Sequence, residues 1–444
     1  MKSLAEHQVY GSSMMDALPA LGLFYEMGTG KTITVLDWAY RAFRRGEVSQ
    51  VLVVCPASLK GTWVQAIDGM VEFGYDPQTV QALKGIITVT SYQMTYKRKE
   101  REVRHRNGTT SKKRWYEVRD EIDHPWDAII VDESHCIGNH SAIQTKTMMA
   151  LAPHARHRYI LTGTPVTGGG GRCDYAKLYG QMNFLEPGIF KSWTDFKSRC
   201  VLSCDPWGNP YKYREDVCED ILKSHGIVCR LTEVFDMPEV VESEIGVELR
   251  GDAKKAYDDI VRGRWLNWGF DVTSSGAQYP KLYQVCSGSL ITDEGTRRLP
   301  TDKLAVLKDL IDSTDGKVIV FCNFTESIRQ ICEAIPGAVP LHGDTPRDNW
   351  ERVQFGEDRV LVAQYVVGSA GLNLQASNLM IFFEPTLSAL NLDQAKARIY
   401  RPGQRNNCRY IHLYTKGTFE EKAMRTVRSG VDVTRDMMDS WAKE

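Results

Sequence analysis

The sequence predicts an α/β protein made of two parallel-sheet lobes with a mainly helical insertion between them. From Leu21 to Pro165, apolar runs of strand length alternate with stretches of helical spacing, and a second alternation starts near Asp302. Strands alternating with helices argue for a parallel sheet. Runs such as Val51–Cys55 are apolar throughout, as expected of a strand covered on both faces. From Tyr175 to about Arg264 the texture changes: aromatic, charged and cysteine residues mix with helical patches such as Ala253–Val261, and strands are few. The expected division is residues 1–170, an insertion at 171–298 packing on the first lobe, and 299–444.

The first chemical centre is LGLFYEMGTGKTIT, Leu21 to Thr34. An apolar strand leads into Gly28-Thr29-Gly30-Lys31-Thr32, and Ile33, Val35, Leu36, Trp38 and Ala39 then fall at helical spacing. Strand, glycine-rich loop and helix form the setting of a phosphate-binding loop. There, backbone N–H groups and a helix N-terminus converge on phosphate oxygens. Lys31 would reach the β- and γ-phosphates, and the Thr32 hydroxyl would complete Mg²⁺ coordination. The strict G-x-x-x-x-G-K-[ST] pattern is not met, because Tyr25 stands where its first glycine belongs. Upstream, Leu4–Gln8 opens a short helix, and Gln8 is placed to read an adenine edge.

After the loop helix come the strand Val51–Cys55, ended by Pro56, a helix marked by Leu59, Trp63, Ala66 and Ile67, and the strand Ile86–Tyr92 with hydroxyls at its end. Lys97 to Arg119 is strongly basic, with the turn signal Asn107-Gly108 at its middle, and reads as a projecting hairpin or loop.

The second chemical centre is Trp126–His135, where an apolar strand delivers Asp132 and Glu133 side by side. Adjacent carboxylates at a buried strand end are costly unless a cation compensates. Asp132 would hold Mg²⁺, Glu133 would orient and deprotonate a water, and His135 would couple this site to Leu161-Thr162-Gly163-Thr164-Pro165. Gly168 to Gly171 follows as a loop, and Asp271 to Ala277 reads as a linker. Cys200, Cys204, Cys218 and Cys229 lack the paired C-x₂-C spacing of a zinc knuckle and read as reduced thiols.

In the second region, Lys317–Asn323, Leu341–Gly343, Val360–Ala363 and Met380–Glu384 read as strands, and Gly368–Leu374 as a strand-to-helix turn. Arg398 and Arg401 lie three residues apart and are expected on one helix face, where two guanidiniums can clamp a γ-phosphate.

With 444 residues, 42% hydrophobic and 25% charged, the chain has the make-up of a globular protein of two or three domains. A net charge of −1 means that any nucleic-acid site must come from local patches. Eleven scattered cysteines and no visible secretory signal or membrane span lead to the expectation of an intracellular protein in a reducing compartment.

Taken in order, EMGTGKT, CPASLKGTW, TSYQM, DESH, LTGTP, VIVFCNF, GSAGLNLQASN and QAKARIYRPGQR resemble the motif series of superfamily-two helicases. The tryptophan after the second motif, the GLNLQ-A string and Q-A-x-x-R-x-x-R-x-G-Q resemble the Swi/Snf-type DNA-dependent ATPases, in a compact form similar to the annealing-helicase subgroup. The resemblance spans about Leu4 to Lys416. It implies two RecA-like lobes of the P-loop NTPase class, with ATP and Mg²⁺ bound between them. Gln8 would then meet the adenine, and Gly28 to Thr32 the phosphates and metal. Gly371, Arg398 and Arg401 would complete the site, and Pro56, Ser58, Thr90, Ser91, Asn323, His342 and Ser369 would touch a nucleic-acid backbone. The expected activity is ATP-driven movement along duplex or branched DNA, with a strand-separating DNA or RNA helicase, a restriction or repair motor subunit, and a nucleotide-gated switch as alternatives. Targeting is left to a partner protein or to DNA shape, without a membrane. Two departures stand out: Leu387, Ser388 and Ala389 replace the family's W-N-P, and the paired arginines before the linker are reduced to Arg230 followed by Leu231.

Overall fold

The computed structural model describes residues 2–104, 110–166, 173–206, 208–270, 278–346, 348–368, 372–434, 437–438 and 441. The expected turn at Asn107-Gly108, the loop Gly168–Gly171, the linker Asp271–Ala277 and the site residues Ser369 and Gly371 lie outside these residues. The chain divides into two units, the first ending at Phe235 and the second taking up from Asp236.

The first unit is built on strands β1 (Ala20–Tyr25), β2 (Val51–Cys55), β3 (Ile87–Ser91), β6 (Trp126–Asp132), β7 (Ala155–Leu161) and β10 (Gly226–Cys229). All pairings are parallel, in the order β10-β1-β7-β6-β2-β3. The apolar runs follow from this layout. Alternate residues of one strand feed two separate cores: Leu52 and Val54 enter one, and Val51, Val53 and Cys55 enter the other. Ile129 and Val131 against Ala128 and Ile130 repeat the division in β6. A strand buried on both faces has no polar face to reveal its period. Two antiparallel ribbons, β4 (Tyr96–Arg104) with β5 (Thr110–Val118) and β8 (Val201–Cys204) with β9 (Pro210–Tyr213), are separate from the sheet.

The second unit has its own parallel sheet. Its strands are β11 (Val240–Val247), β14 (Val318–Cys322), β15 (Val339–Leu341), β16 (Val360–Gln364), β17 (Leu379–Phe382) and β18 (Cys408–Thr415), ordered β11-β18-β17-β14-β16-β15. Strands β12 (Ser289–Thr292) and β13 (Gly295–Arg298) form a small hairpin. The same division of side chains recurs, with Ile319 and Phe321 in one core and Val318, Val320 and Cys322 in the other. A third cluster joins the helices Gly251–Val261 and Gln278–Cys286 to Phe419 and Ala423 of the helix Phe419–Arg428.

The segment 171–298 is therefore shared out: β10 closes an edge of the first sheet, and β11 and the helices after it belong to the second unit. It also holds more strand than its texture suggests. In β11 the residues Val240–Glu244 are all exposed and only its last residue, Val247, is buried, so most of this edge strand leaves no apolar pattern.

Lys303 and Glu420 are both fully buried and 2.6 Å apart. Glu420 also accepts the Thr415 amide at 2.8 Å, and the Lys303 ammonium lies 5.1 Å from the centre of the Phe383 ring. Removing one partner of a buried pair leaves an uncompensated charge. Lys303→Met is expected to cost about 3–5 kcal/mol, read as a lowered urea midpoint, and adding Glu420→Leu to restore part of the loss.

Candidate functional site

At the carboxyl end of β1 the chain passes through Glu26 and Met27 into the glycine loop. Gly28 and Gly30 have φ of 88° and 89°, in the left-handed region that suits glycine. A Cβ at Gly30 would also come within 2.2 Å of Gln8 Nε2. The Gln8 side chain is committed to the loop: Nε2 donates to the Thr29 carbonyl at 2.9 Å, while Oε1 accepts the Ala5 amide at 3.0 Å. Thr29 is buried, and its hydroxyl donates to the Glu26 carbonyl at 2.6 Å. Lys31 opens the helix Lys31–Arg44, and its ammonium donates to the carbonyls of Tyr25 at 2.8 Å and Glu26 at 3.3 Å. Thr32 is the next residue of that helix and is half-buried. Tyr25, the departure from the strict motif, remains a strand residue. Its hydroxyl reaches the His7 carbonyl at 2.9 Å, passing Gly11, where a Cβ would come within 2.3 Å of that oxygen.

Strand β6 delivers the carboxylates to the same edge, with β7 lying between it and β1. Asp132 is buried; its Oδ2 accepts the Trp63 indole N–H at 2.8 Å, and its Oδ1 accepts the Glu133 amide at 2.9 Å. Burial foremost, and then the Glu133 charge, raise the Asp132 pKa, while the Trp63 hydrogen bond and the Lys31 charge oppose the rise. Glu133 adopts φ 52° and ψ 52° and is the only residue other than glycine with positive φ among those described. Its carboxylate lies 3.3 Å from His135 Nδ1. Burial disfavours a charged His135, but the Cys136 thiol and the Glu133 carboxylate outweigh it and push its pKa up to about 9.

Three neighbours fix this turn. The Tyr92 hydroxyl donates to the Asp132 carbonyl at 2.7 Å. His135 Nδ1 also lies 3.3 Å from the Thr162 hydroxyl, joining DESH to LTGTP as the sequence suggested. The Ser134 hydroxyl donates to Gln181 at 2.7 Å, and Gln181 donates to the Pro165 carbonyl at 2.8 Å. Gly163 lets LTGTP lie against the loop strand, since a Cβ there would be 3.2 Å from the Tyr25 carbonyl oxygen. Trp63, Tyr92 and Gln181 were not singled out from the sequence as site residues. For Trp63 the available signal was a buried indole whose N–H needs a partner.

Of the backbone-contact candidates, Pro56, Ser58, Thr90 and Ser91 gather at the ends of adjacent strands, with Cys55 in register with Ser91 and Val54 with Thr90. Ser58 is exposed, Pro56 and Thr90 are half-buried, and Ser91 is buried.

In the second unit, the helix Ala389–Lys396 stops before Arg398, which corrects the expectation that both arginines ride on a helix face. They occupy the turn beyond it. They still converge, because Arg398 Nη1 and Arg401 Nη1 donate to the Leu372 carbonyl at 3.4 Å and 3.0 Å. Gln404 shapes this turn by donating to the Ser377 carbonyl at 2.9 Å and accepting the amides of Arg405 and Asn406 at 3.0 and 3.1 Å. Burial lowers the Arg401 pKa. Asn323 follows β14 and donates to the Pro385 carbonyl at 2.7 Å and the Tyr283 hydroxyl at 3.0 Å. His342 follows β15, one residue beyond the strand. Ser388 caps the helix Ala389–Lys396, and Arg230 is the N-terminal cap of the helix Leu231–Val234.

Among the described residues no cluster of three His, Cys, Asp or Glu side chains is placed to hold a metal. No helix among the described residues is long and apolar enough to cross a membrane.

Residues 19–258 match the SNF2-related domain, and residues 302–403 match the helicase conserved C-terminal domain. The chain is 25% identical to the ATP-dependent helicase brm of Drosophila melanogaster over 96% of its own length and 28% of that protein. It is 24% identical to the SWI/SNF-related matrix-associated actin-dependent regulator of chromatin subfamily A-like protein 1 of Xenopus laevis, over 89% and 40% of the two chains. To the DNA repair and recombination protein RDH54 of Saccharomyces cerevisiae (strain YJM789) it is 23% identical, over 90% and 49%. It thus spans less than half the length of each of these relatives. The Sulfolobus solfataricus SWI2/SNF2 ATPase core in complex with dsDNA aligns at a TM-score of 0.43 and 21% identity, covering 99% of this chain and 94% of that one. With the SNF2-related domain matched over more than half its length, the chain belongs to the SNF2-related family, and its second region carries the helicase conserved C-terminal domain.

Proposed function

We propose that the chain hydrolyses ATP and uses the cycle to translocate along duplex DNA. The observation that carries this reading is the adjacent carboxylate pair Asp132–Glu133, of which Asp132 is buried and raised in pKa, set on the same sheet edge as the Gly28–Thr32 loop. A nucleotide-gated switch has no need of two carboxylates held at such cost. Relatives named as an ATP-dependent helicase and as a DNA repair and recombination protein support the choice of substrate.

In this reading the loop amides and Lys31 hold the ATP phosphates, and Gln8 braces the loop and meets the adenine. Thr32 and Asp132 would hold Mg²⁺, which supplies positive charge against the phosphate oxygens. Glu133 takes the proton of the attacking water, and His135 holds its carboxylate in place. Arg398 and Arg401 take the arginine-finger role, and nucleotide binding is assigned to Gly371 as well. Pro56, Ser58, Thr90, Ser91, Asn323, His342 and Ser369 touch the DNA backbone, where contacts position the motor without reading sequence.

Steady-state ATP turnover without nucleic acid, then with duplex DNA, single-stranded DNA, forked DNA and RNA, tests the reading. Strong stimulation by plain duplex is expected; stimulation by RNA or single strands alone would overturn translocation on duplex. Lys31→Ala and Glu133→Gln are each expected to abolish turnover with duplex affinity retained. Arg401→Ala should lower kcat by about 10³-fold or more, with ATP affinity changed far less. Trp63→Phe removes a donor that favours the ionised form of Asp132. The Asp132 carboxyl should then stay protonated to higher pH, so the acid limb of the kcat profile should move upward in pH.

A further inference from the structure

We propose that the β4–β5 ribbon is a nucleic-acid-binding element in its own right, gripping the phosphate backbone beside the strand-end contacts; this rests on the DNA-motor reading. Its two strands carry eight Lys and Arg against three Glu, in a chain whose net charge is −1. Two of these glutamates, Glu100 and Glu117, are already engaged within the ribbon. Glu100 faces Arg98 at 3.1 Å and Arg114 at 3.6 Å, and Glu117 faces Lys99 at 3.8 Å and accepts the Trp115 indole N–H at 2.8 Å. Three of the cations stay open to solvent nonetheless, with the side chains of Arg98, Lys99 and Arg114 exposed by 49, 47 and 58%.

Each face of the ribbon also pairs a cation with an aromatic. Lys99 lies opposite Trp115, and Arg98 opposite Tyr116. Both rings are exposed large side chains. Basic side chains interleaved with open aromatics suit phosphates and bases. A solitary two-stranded ribbon has little stability of its own, and this one is rooted firmly. The buried Thr95 donates to the Tyr92 carbonyl at 2.6 Å, the Arg119 amide donates to the Thr95 carbonyl at 3.1 Å, and Arg119 Nε donates to the Tyr96 carbonyl at 3.2 Å. The root follows β3 directly, so the ribbon leaves the sheet where Thr90 and Ser91 end it. The occupant is a nucleic acid, because surplus cations on both faces match a polymer of regularly spaced phosphates.

The test is duplex-DNA binding by fluorescence anisotropy across a salt series, comparing the full chain with its Arg98→Gln/Lys99→Gln/Arg114→Gln variant. Urea midpoints of the two proteins check that the fold is kept. Affinity at low salt is expected to fall at least about tenfold, and the slope of log K against log salt to shrink by about 2–3, at about 0.9 for each phosphate that the variant no longer neutralises. An unchanged affinity and slope, with wild-type turnover stimulated by duplex, overturns the ribbon proposal and leaves the motor standing. Loss of affinity in the variant, with wild-type turnover indifferent to every nucleic acid, upholds the ribbon and sinks the motor. Competition by polyglutamate as strong as by duplex of equal charge would overturn nucleic acid as the occupant.

Discussion

The repulsion between Asp132 and Glu133 is the constraint around which the first unit is arranged. Parallel strands put every carboxyl end on one edge, and β6 ends there with two acids in succession. Burial of Asp132 keeps water from screening the pair, so the fold brings the Trp63 indole from the segment after β2 to the Asp132 carboxylate and His135 from the turn itself to Glu133, while the Tyr92 hydroxyl from the segment after β3 holds the Asp132 carbonyl. Glu133 adopts a left-handed backbone that costs a side chain roughly 1–2 kcal/mol. That strain persists because the residues on both sides are tied down: the Asp132 carboxylate holds the Glu133 amide, and Ser134 is bonded to Gln181.

The second unit solves a related problem with an internal hub. Glu384 is fully buried after β17, and it accepts the Asn323 amide at 2.6 Å and the Ser327 hydroxyl. Burial raises its pKa, and the Lys303 charge opposes the rise. The turns after β14 and β17 are thereby stitched together from below, which fixes Asn323 without exposing any of these charges.

What the sequence disclosed and what it hid follow from the same physics. Buried parallel strands announce themselves because both faces need apolar side chains, and the glycine loop does so because Gly28 and Gly30 occupy backbone geometry that other residues resist. Strand β11 stayed hidden because it is held by backbone pairing with β18 and by ion pairs of Glu242 and Glu244 with Lys396 and Arg428, neither of which leaves an apolar pattern. The turn carrying Arg398 and Arg401 read as helix because spacing at i and i+3 persists after the helix stops. Tyr25 looked like a flaw in the phosphate loop, and only its bond to His7 shows why a strand residue serves there. Long-range polar pairs such as Trp63 with Asp132 leave no local periodicity to detect.

Each sheet ties distant parts of its own sequence together. β1 has β10 on one side and β7 on the other, and β11 is paired along its whole length with β18. On a ribosome, the strand that leads into the glycine loop is therefore made early and flanked late. Its pairing edge toward β10 stays open until Gly226–Cys229 has emerged, and β11 waits for Cys408–Thr415. Closing such long loops is slow, and unpaired strand edges invite association with other chains. Nascent chains stalled short of either strand would thus present a hydrogen-bonding edge that the finished protein conceals.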